Sequence, residues 1–266
     1  MTDFVTTGWK IRSEKVKTPL RLILIGDLHD AEHGPGNDAL KRAVREAAPD
    51  LILCAGDLIV GRPGRPRETA LDLMSFCAVT APVYMVYGNH ETQLRLFPGE
   101  EEPFRRRLAA TGVHLLNNTG ASLEMKGTPL VLYGLELPLS VYRKLRIPRL
   151  TDSGITERIG PGPASAAFSV LLAHNPQFAP QYARWGADLT VCGHFHGGVL
   201  RIGQRCLLSP YGFPFPKYGY GHYETDGRHM IVTAGLGEHT IPFRIHNPME
   251  LAVIDILPAE EAENGN

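Results

Sequence analysis

Residues 21–26 (RLILIG) and 51–56 (LILCAG) are unbroken runs of mostly branched apolar residues, of strand rather than helix length. A strand without polar alternation is buried on both faces, as parallel strands covered by helices are. Between the two runs, residues 37–48 read as a helix with Asn37 as its cap, which predicts a βαβ unit. The pattern repeats with a helix at 68–78, a strand at 83–87, a charged helix at 101–110 and a short strand at 113–116. From 122 to 136 two short strands flank the turn Lys126-Gly127-Thr128-Pro129 and predict an antiparallel pair. Residues 139–163, rich in Gly and Pro toward their end and weakly periodic, predict a helix-containing insertion that closes in a loop. Strand patterns return at 169–173 and 188–192 around a helix at 176–185, then at 199–202, 230–234, 243–245 and 251–257. The expected fold class is α/β, two packed sheets with helices outside. One domain over residues 1–258 accounts for the pattern, followed by an acidic tail at 259–266 expected to be disordered.

Composition narrows the function. A chain of 266 residues can bury a sizeable core. With 27 basic against 28 acidic residues, it has no net field to steer it to nucleic acid or an anionic surface, so no nucleic-acid partner is expected. The four cysteines have no CxxC spacing, and Cys54 and Cys192 fall in apolar runs beside polar blocks. They read as buried free thiols in a reducing compartment. No stretch approaches the length of a membrane span, and the first twenty residues lack the apolar core of a signal peptide. A cytoplasmic location is expected for the chain itself, and a membrane-associated one if a natural anchor precedes it.

The chemistry sits in five polar blocks, each closing an apolar run: Asp27-Leu28-His29, Gly56-Asp57, Gly88-Asn89-His90-Glu91, His174-Asn175 and Gly193-His194-Phe195-His196. Side chains at the ends of such strands collect along one edge of an α/β sheet, where these folds place their ligands. Carboxylate and amide oxygens mixed with imidazoles, and no thiolate, suit divalent or trivalent Mn, Fe or Zn and disfavour a structural zinc knot. Two ions about 3.5–4 Å apart would need a bridging carboxylate, for which Asp57 at the end of the second strand is the natural candidate. Asp27, His29 and a later histidine would complete one ion. Asn89, His174 and the other of His194 and His196 would complete the second. The two imidazoles of His194-Phe195-His196 share a face in an extended segment and reach adjacent ions.

These blocks resemble the signature of the calcineurin-like metallophosphoesterase superfamily, D-x-H, G-D, G-N-H-D/E, a lone H and G-H-x-H, over the full length and in order. The resemblance implies a four-layer α/β/β/α sandwich. It also implies Asp27, His29, Asp57 and His196 on the first ion, Asp57, Asn89, His174 and His194 on the second, and His90 as an acid that is not a ligand. Within the superfamily, Gly193–Gly198, the aromatic stretch 211–223 and Gly235-Leu236-Gly237 before Pro242-Phe243-Arg244 resemble a bacterial branch often tethered to membranes, so a peripheral membrane contact stays open. The protein phosphatase branch fits less well. It carries Asp-Arg-Gly where this chain has Leu58-Ile59-Val60-Gly61-Arg62, and so lacks here the Asp that orients the catalytic histidine; Glu91, Asp30 or some other hold on His90 must replace it.

The function expected is a binuclear-metal phosphoesterase acting on phosphodiester or phosphoanhydride bonds. A metal-bridging hydroxide would attack phosphorus, Asn89 and the ions would stabilise charge, and His90 would protonate the leaving oxygen. A phosphomonoesterase on the same site and a non-catalytic scaffold are the alternatives. The substrate would be a small phosphate ester, nucleotide or lipid-linked. Arg62 and Arg65, in a Gly/Pro loop after Asp57, are candidates for phosphate contact against a plain solvated loop. Phe213 and Phe215 are candidates for an aromatic wall along the cleft against ordinary loop packing. Of the other histidines, only His33 sits where it could face the open coordination sites; His114, His222, His229, His239 and His246 read as surface or core-polar residues.

Overall fold

The computed structural model describes residues 4–143, 149–164, 166–209, 214–238 and 243–259. In chain order, β1 (Phe4–Ser13) and β2 (Leu20–Ile25) lead to α1 (Asp38–Ala47), β3 (Leu51–Cys54), α2 (Glu68–Thr80), β4 (Val83–Met85), α3 (Asn89–Gln93), α4 (Glu101–Ala110) and β5 (His114–Leu115). The second half holds β6 (Thr119–Met125), β7 (Thr128–Leu135), α5 (Asp152–Ile159), β8 (Phe168–Ala173), α6 (Ala179–Trp185) and β9 (Leu189–Cys192). It closes with β10 (Leu200–Ile202), β11 (Arg205–Leu208), β12 (Gly221–Thr225), β13 (Arg228–Val232) and β14 (Met249–Pro258).

Two six-stranded mixed sheets result, ordered β1-β14-β2-β3-β4-β5 and β12-β13-β9-β8-β7-β6, with β10 and β11 as a separate pair. Alternate residues of the central strands go to different cores, as the two-residue period of a strand requires. Leu22, Leu24 and Leu53 of the first sheet meet Leu132, Val170 and Val191 of the second between the sheets. Ile23, Ile25 and Ile52 face outward onto Leu40, Val44, Leu73 and Phe104 of the helices. Leu171, Cys192 and Val232 likewise face Ile155, Tyr182 and Trp185. Both faces of each sheet are covered, giving the four layers α/β/β/α and explaining why β2, β3, β8 and β9 are apolar throughout. All four cysteines are buried as free thiols.

Three elements differ from the sequence reading. Strand β1 escaped notice because it is an edge strand, hydrogen-bonded only to β14 and buried chiefly at Phe4 and Ile11, so little apolar pattern is required of it. The run 243–245 is no strand; it makes a single bridge, Ile245 to Leu200. Part of the aromatic stretch, 221–225, is the edge strand β12. The insertion does contain a helix, α5, capped by the Thr151 hydroxyl accepting from the Gly154 N–H. The expected tail lies, apart from Ala259, outside the described residues, as does Phe213. Among the described residues no helix is long and apolar enough to cross a membrane.

Candidate metal centre

Asp27, Asp57 and Asn89 follow β2, β3 and β4, which are neighbours in the first sheet, while His174 and His194 follow β8 and β9, neighbours in the second. Because the two sheets pack face to face, these five loops meet at one end of the sandwich. The loops leave the sheet still hydrogen-bonded: Asp27 N–H donates to the Gly56 carbonyl and His29 N–H to that of Asp57. The His194 N–H donates to the Asp27 carboxylate at 2.8 and 3.0 Å, tying one sheet to the other. The His90 N–H donates to Asp57 Oδ1 at 2.8 Å, leaving Oδ2 to face the imidazoles.

Glycine before the acids and histidines has a steric reason. A Cβ on Gly88 would lie 2.2 Å from Asp57 Oδ1, and one on Gly193 would lie 2.7 Å from Asp27 Oδ2. Backbone must approach both carboxylates more closely than any side chain permits. The backbone is also strained here. Asp27, His29, Asp57, His194 and His196 adopt positive φ of 50, 49, 53, 76 and 49°. Each costs on the order of 1–2 kcal/mol for a non-glycine residue, and such strain persists where the surroundings over-determine it, commonly at functional sites.

The ligand-type atoms converge in three groups, each within 4.8 Å: Asp27, His29 and His196; Asp57, His174 and His194; and His29, Asp57 and His90. The first two coincide with the two sets the sequence pattern implied, short of the shared Asp57 in one and of Asn89 in the other. Most of these side chains are buried, whereas that of His90 is 29 % exposed. His29 Nε2 and His196 Nε2 face each other at 3.0 Å. His174 Nε2 lies 3.1 Å from Asp57 Oδ2, while Asn89 Oδ1 is buried without a hydrogen-bond partner. Polar atoms orphaned in this way are costly unless a cation takes them. His174 Nδ1 bonds the Ala55 carbonyl at 2.8 Å, which turns Nε2 inward, the orientation a metal-ligating histidine needs. The residues present therefore fit bound metal cations.

A cleft of about 660 Å³ opens over this cluster, lined by His29, Asn89, His90, His194, His196 and also by Arg62, Glu32 and Glu238. Arg62 is on its wall. Arg65 is exposed and is not among the lining residues. Phe215 does not line the cleft either: it is 73 % exposed and borders a second cavity, against β11. His33 also lines the cleft, as its place in the sequence suggested, but it is buried, with Nε2 held by the Leu236 carbonyl at 2.6 Å and its ring edge-on to Phe4.

A profile of the calcineurin-like phosphoesterases matches residues 20–198, a stretch that contains all eight residues singled out by the motif. The chain belongs to this family. Phosphodiesterase YaeI of Escherichia coli K12 is 27 % identical over 229 residues, 82 % of this chain and 76 % of that protein. YkuE of Bacillus subtilis 168, an uncharacterized metallophosphoesterase, is 24 % identical over 217 residues, 80 % of this chain and 70 % of its own. A putative 5′-nucleotidase from Staphylococcus aureus shares the fold, with a TM-score of 0.51 and 11 % identity, over 94 % of this chain and 56 % of the longer protein. The chain is thus a member of a metal-dependent hydrolase family acting on phosphate esters, and its Asp and His side chains cluster where a metal ion could be held.

Three residues of the site were not assigned from sequence. Gly61 donates its N–H to His90 Nδ1 at 2.9 Å. This answers what orients His90: a backbone amide, and neither Glu91 nor Asp30. Asp30 is engaged by the Val60 N–H. Glu91 is buried and accepts from the N–H groups of Asp57, Leu58, Ile59 and Gly88 at 2.7–3.2 Å, fastening the second and third ligand loops together. Tyr142 stands edge-on to His194, its ring 5.0 Å away. Only the Glu91 role has a sequence signal, an acid next to the Gly-Asn-His block, and nothing in spacing says which N–H groups it would meet.

Burial and the charge of Asp57 push Glu91 up to about 7 against its four N–H donors. At pH 8 it is ionised, and Glu91→Gln turns an NH₂ toward two of those N–H groups. Leaving both unsatisfied is expected to cost about 3 kcal/mol, read as a lower denaturation midpoint by urea titration at that pH. Unchanged stability would show that the loops are held without it.

The ligand protonation states set a pH dependence. Burial opposes a charge on His174, but Asp57, close by, and Asp27 outweigh it and raise it to about 9. Burial, reinforced by the Asp57 charge, raises Asp27 to about 7. Asp57 itself is held well below the usual carboxylate range, since His174 and His90 overcome its burial. A cation held by Asp27 and His174 would displace their protons. Metal affinity should then climb by about tenfold per pH unit for each proton released, steeply below pH 7 and with one proton between 7 and 9. Competition titrations with a chromogenic chelator from pH 6 to 9 measure this, and a flat profile would remove both residues from the ligand set.

Proposed function

We propose that this chain is a two-metal hydrolase of phosphodiester or phosphoanhydride bonds. The observation that carries the reading is the convergence of Asp and His side chains in three overlapping groups, two of them sharing Asp57, with the buried and unpartnered Asn89 Oδ1 nearby on the same cleft. Asp27, His29, Asp57 and His196 would hold one ion and Asp57, Asn89, His174 and His194 the other, and the borderline donor set suits Mn, Fe or Zn. When bound, the ions would supply positive charge to the phosphoryl oxygens and acidify water. Asn89 would offer its amide to the charge that develops on the phosphoryl group, and Arg62, on the cleft wall, would bind a non-bridging oxygen.

His90 serves the leaving group. With Nδ1 accepting the Gly61 N–H, the neutral ring carries its hydrogen on Nε2, and this partly exposed edge would donate a hydrogen bond to the leaving oxygen while a proton reaches that oxygen from water in the cleft. The preference for a diester is supported by the name of the YaeI relative and by a cleft with room for a second substituent on phosphorus. Comparing bis-nitrophenyl phosphate with nitrophenyl phosphate on Mn-loaded protein tests it. The diester should be turned over with a kcat/KM about tenfold or more higher, and chelation should abolish the activity. A preference for the monoester would overturn the diester assignment, and full activity after chelation the metal one.

A further inference from the structure

Beyond the cleft, the small β10–β11 sheet presents a face unlike the rest of the surface. Leu200 pairs with Leu208 across the hairpin, Ile245 bridges Leu200 on one side and Pro214 bridges Leu208 on the other. Paired residues share a face, so this register lays an apolar row across four chain segments. Ile202, two residues on from Leu200, adds to the same side. The opposite side is anchored: Arg201 lies 3.6 Å over the Tyr220 ring, and Cys206, paired with it, is buried. The outward side is therefore held out to solvent. Ile202 and Phe243 are each 65 % exposed, Ile245 50 % and Leu208 36 %; these are four of the eight large hydrophobics exposed among the described residues.

The charge around this face is one-sided. Among the described residues, 197–209, 214–223 and 243–249 contain Arg201, Arg205, Lys217 and Arg244 and no Asp or Glu. Arg205, opposite Ile202 in the hairpin, and Lys217 are exposed and both border the cavity of about 540 Å³ beside β11. A second copy of the chain meeting this face about a twofold axis would set cation against cation. Exposed aliphatic and aromatic side chains with a cationic border match the interface of an anionic bilayer instead, where apolar groups enter the acyl boundary and Lys and Arg meet headgroup phosphates.

We propose that the β10–β11 face docks this protein onto anionic phospholipid membranes. Docking there would hold the hydrolytic cleft at the lipid surface, because residues 197–199 run directly from His196 into β10 and Arg244, beside Phe243, donates to the His196 carbonyl at 3.1 Å. The proposal stands on register, exposure and charge, and is independent of which ester the cleft cleaves.

Co-sedimentation of the whole chain with vesicles tests it. Binding is expected to vesicles containing phosphatidylglycerol, to fall with added salt, and to be at least about tenfold weaker to pure phosphatidylcholine. The double variant Ile202→Asn/Phe243→Asn should lower binding by about tenfold or more while keeping its circular dichroism spectrum and its hydrolysis of a small soluble ester. Arg205→Ala/Lys217→Ala should erase the preference for the anionic vesicles. Failure of the wild-type chain to bind phosphatidylglycerol vesicles would overturn the proposal, as would equal binding by the Ile202/Phe243 variant. So would a dimer, seen by sedimentation equilibrium, that this variant dissociates, since a second copy would then be what covers the face.

Discussion

Asp57→Ala is expected to strip both ions from the protein together. Asp57 belongs to two of the three ligand groups, and its Oδ2 lies 3.1 Å from His174 Nε2, 3.8 Å from His29 Nε2 and 3.9 Å from His90 Nε2. Among the described residues no other carboxylate belongs to two of these groups. Without it, two cations about 3.5–4 Å apart would repel one another with no shared anion between them. Affinity at each position should drop by more than about 10²-fold, beyond what loss of a supporting contact to a ligand costs. Metal per chain after gel filtration, measured by elemental analysis, checks it. Asp57→Asn separates charge from shape: it keeps an oxygen for the His90 N–H but removes the anion, and should lose metal nearly as completely. Full occupancy at both positions in either variant would take Asp57 out of the bridging role.

His90→Ala should behave in the opposite way, keeping the metal and losing turnover. The imidazole is the one member of the cluster with a substantially exposed side chain, and its Nδ1 is committed to Gly61, so only Nε2 faces the cleft. A positioned group that assists proton transfer to the leaving oxygen contributes about 10²–10⁴-fold, and the loss should be that large for an alkyl leaving group, which needs a proton. For a nitrophenolate, which leaves without one, it should be much smaller. Comparing kcat for alkyl and nitrophenyl esters across wild type and variant reads this difference. Equal losses on the two, or loss of metal, would show that His90 serves as a ligand or a brace.

Glu91 shows how a site is divided between what a chain spells out and what folding decides. Its position next to Gly88-Asn89-His90 is visible in the sequence, and its acidity invited a role in steering His90. In the folded protein its side chain turns the other way, onto four backbone amides of two loops, three of them more than thirty residues distant. His90 is instead steered by Gly61, a residue with no side chain to advertise the contact. The aromatic stretch makes the same point: composition marked it as a wall for substrate, whereas the register of β10 and β11 puts Phe215 outside the cleft and exposes an apolar face to solvent.

The sequence by itself determined the buried strands, because a strand covered on both faces must be apolar throughout, and it determined the order and residue types of the five polar blocks, because a metal site needs those donors. The edge strand β1 was illegible for the converse reason, since a strand with one neighbour need not be apolar. Only the tertiary structure decided which imidazole faces which carboxylate, the positive φ of five candidate ligands, and the tautomer that His90 carries. Those follow from contacts between residues far apart in sequence, such as the His194 amide on Asp27, 167 positions away. Local pattern records how deeply a segment is buried; the direction of a hydrogen bond across two sheets exists only once both sheets are in place.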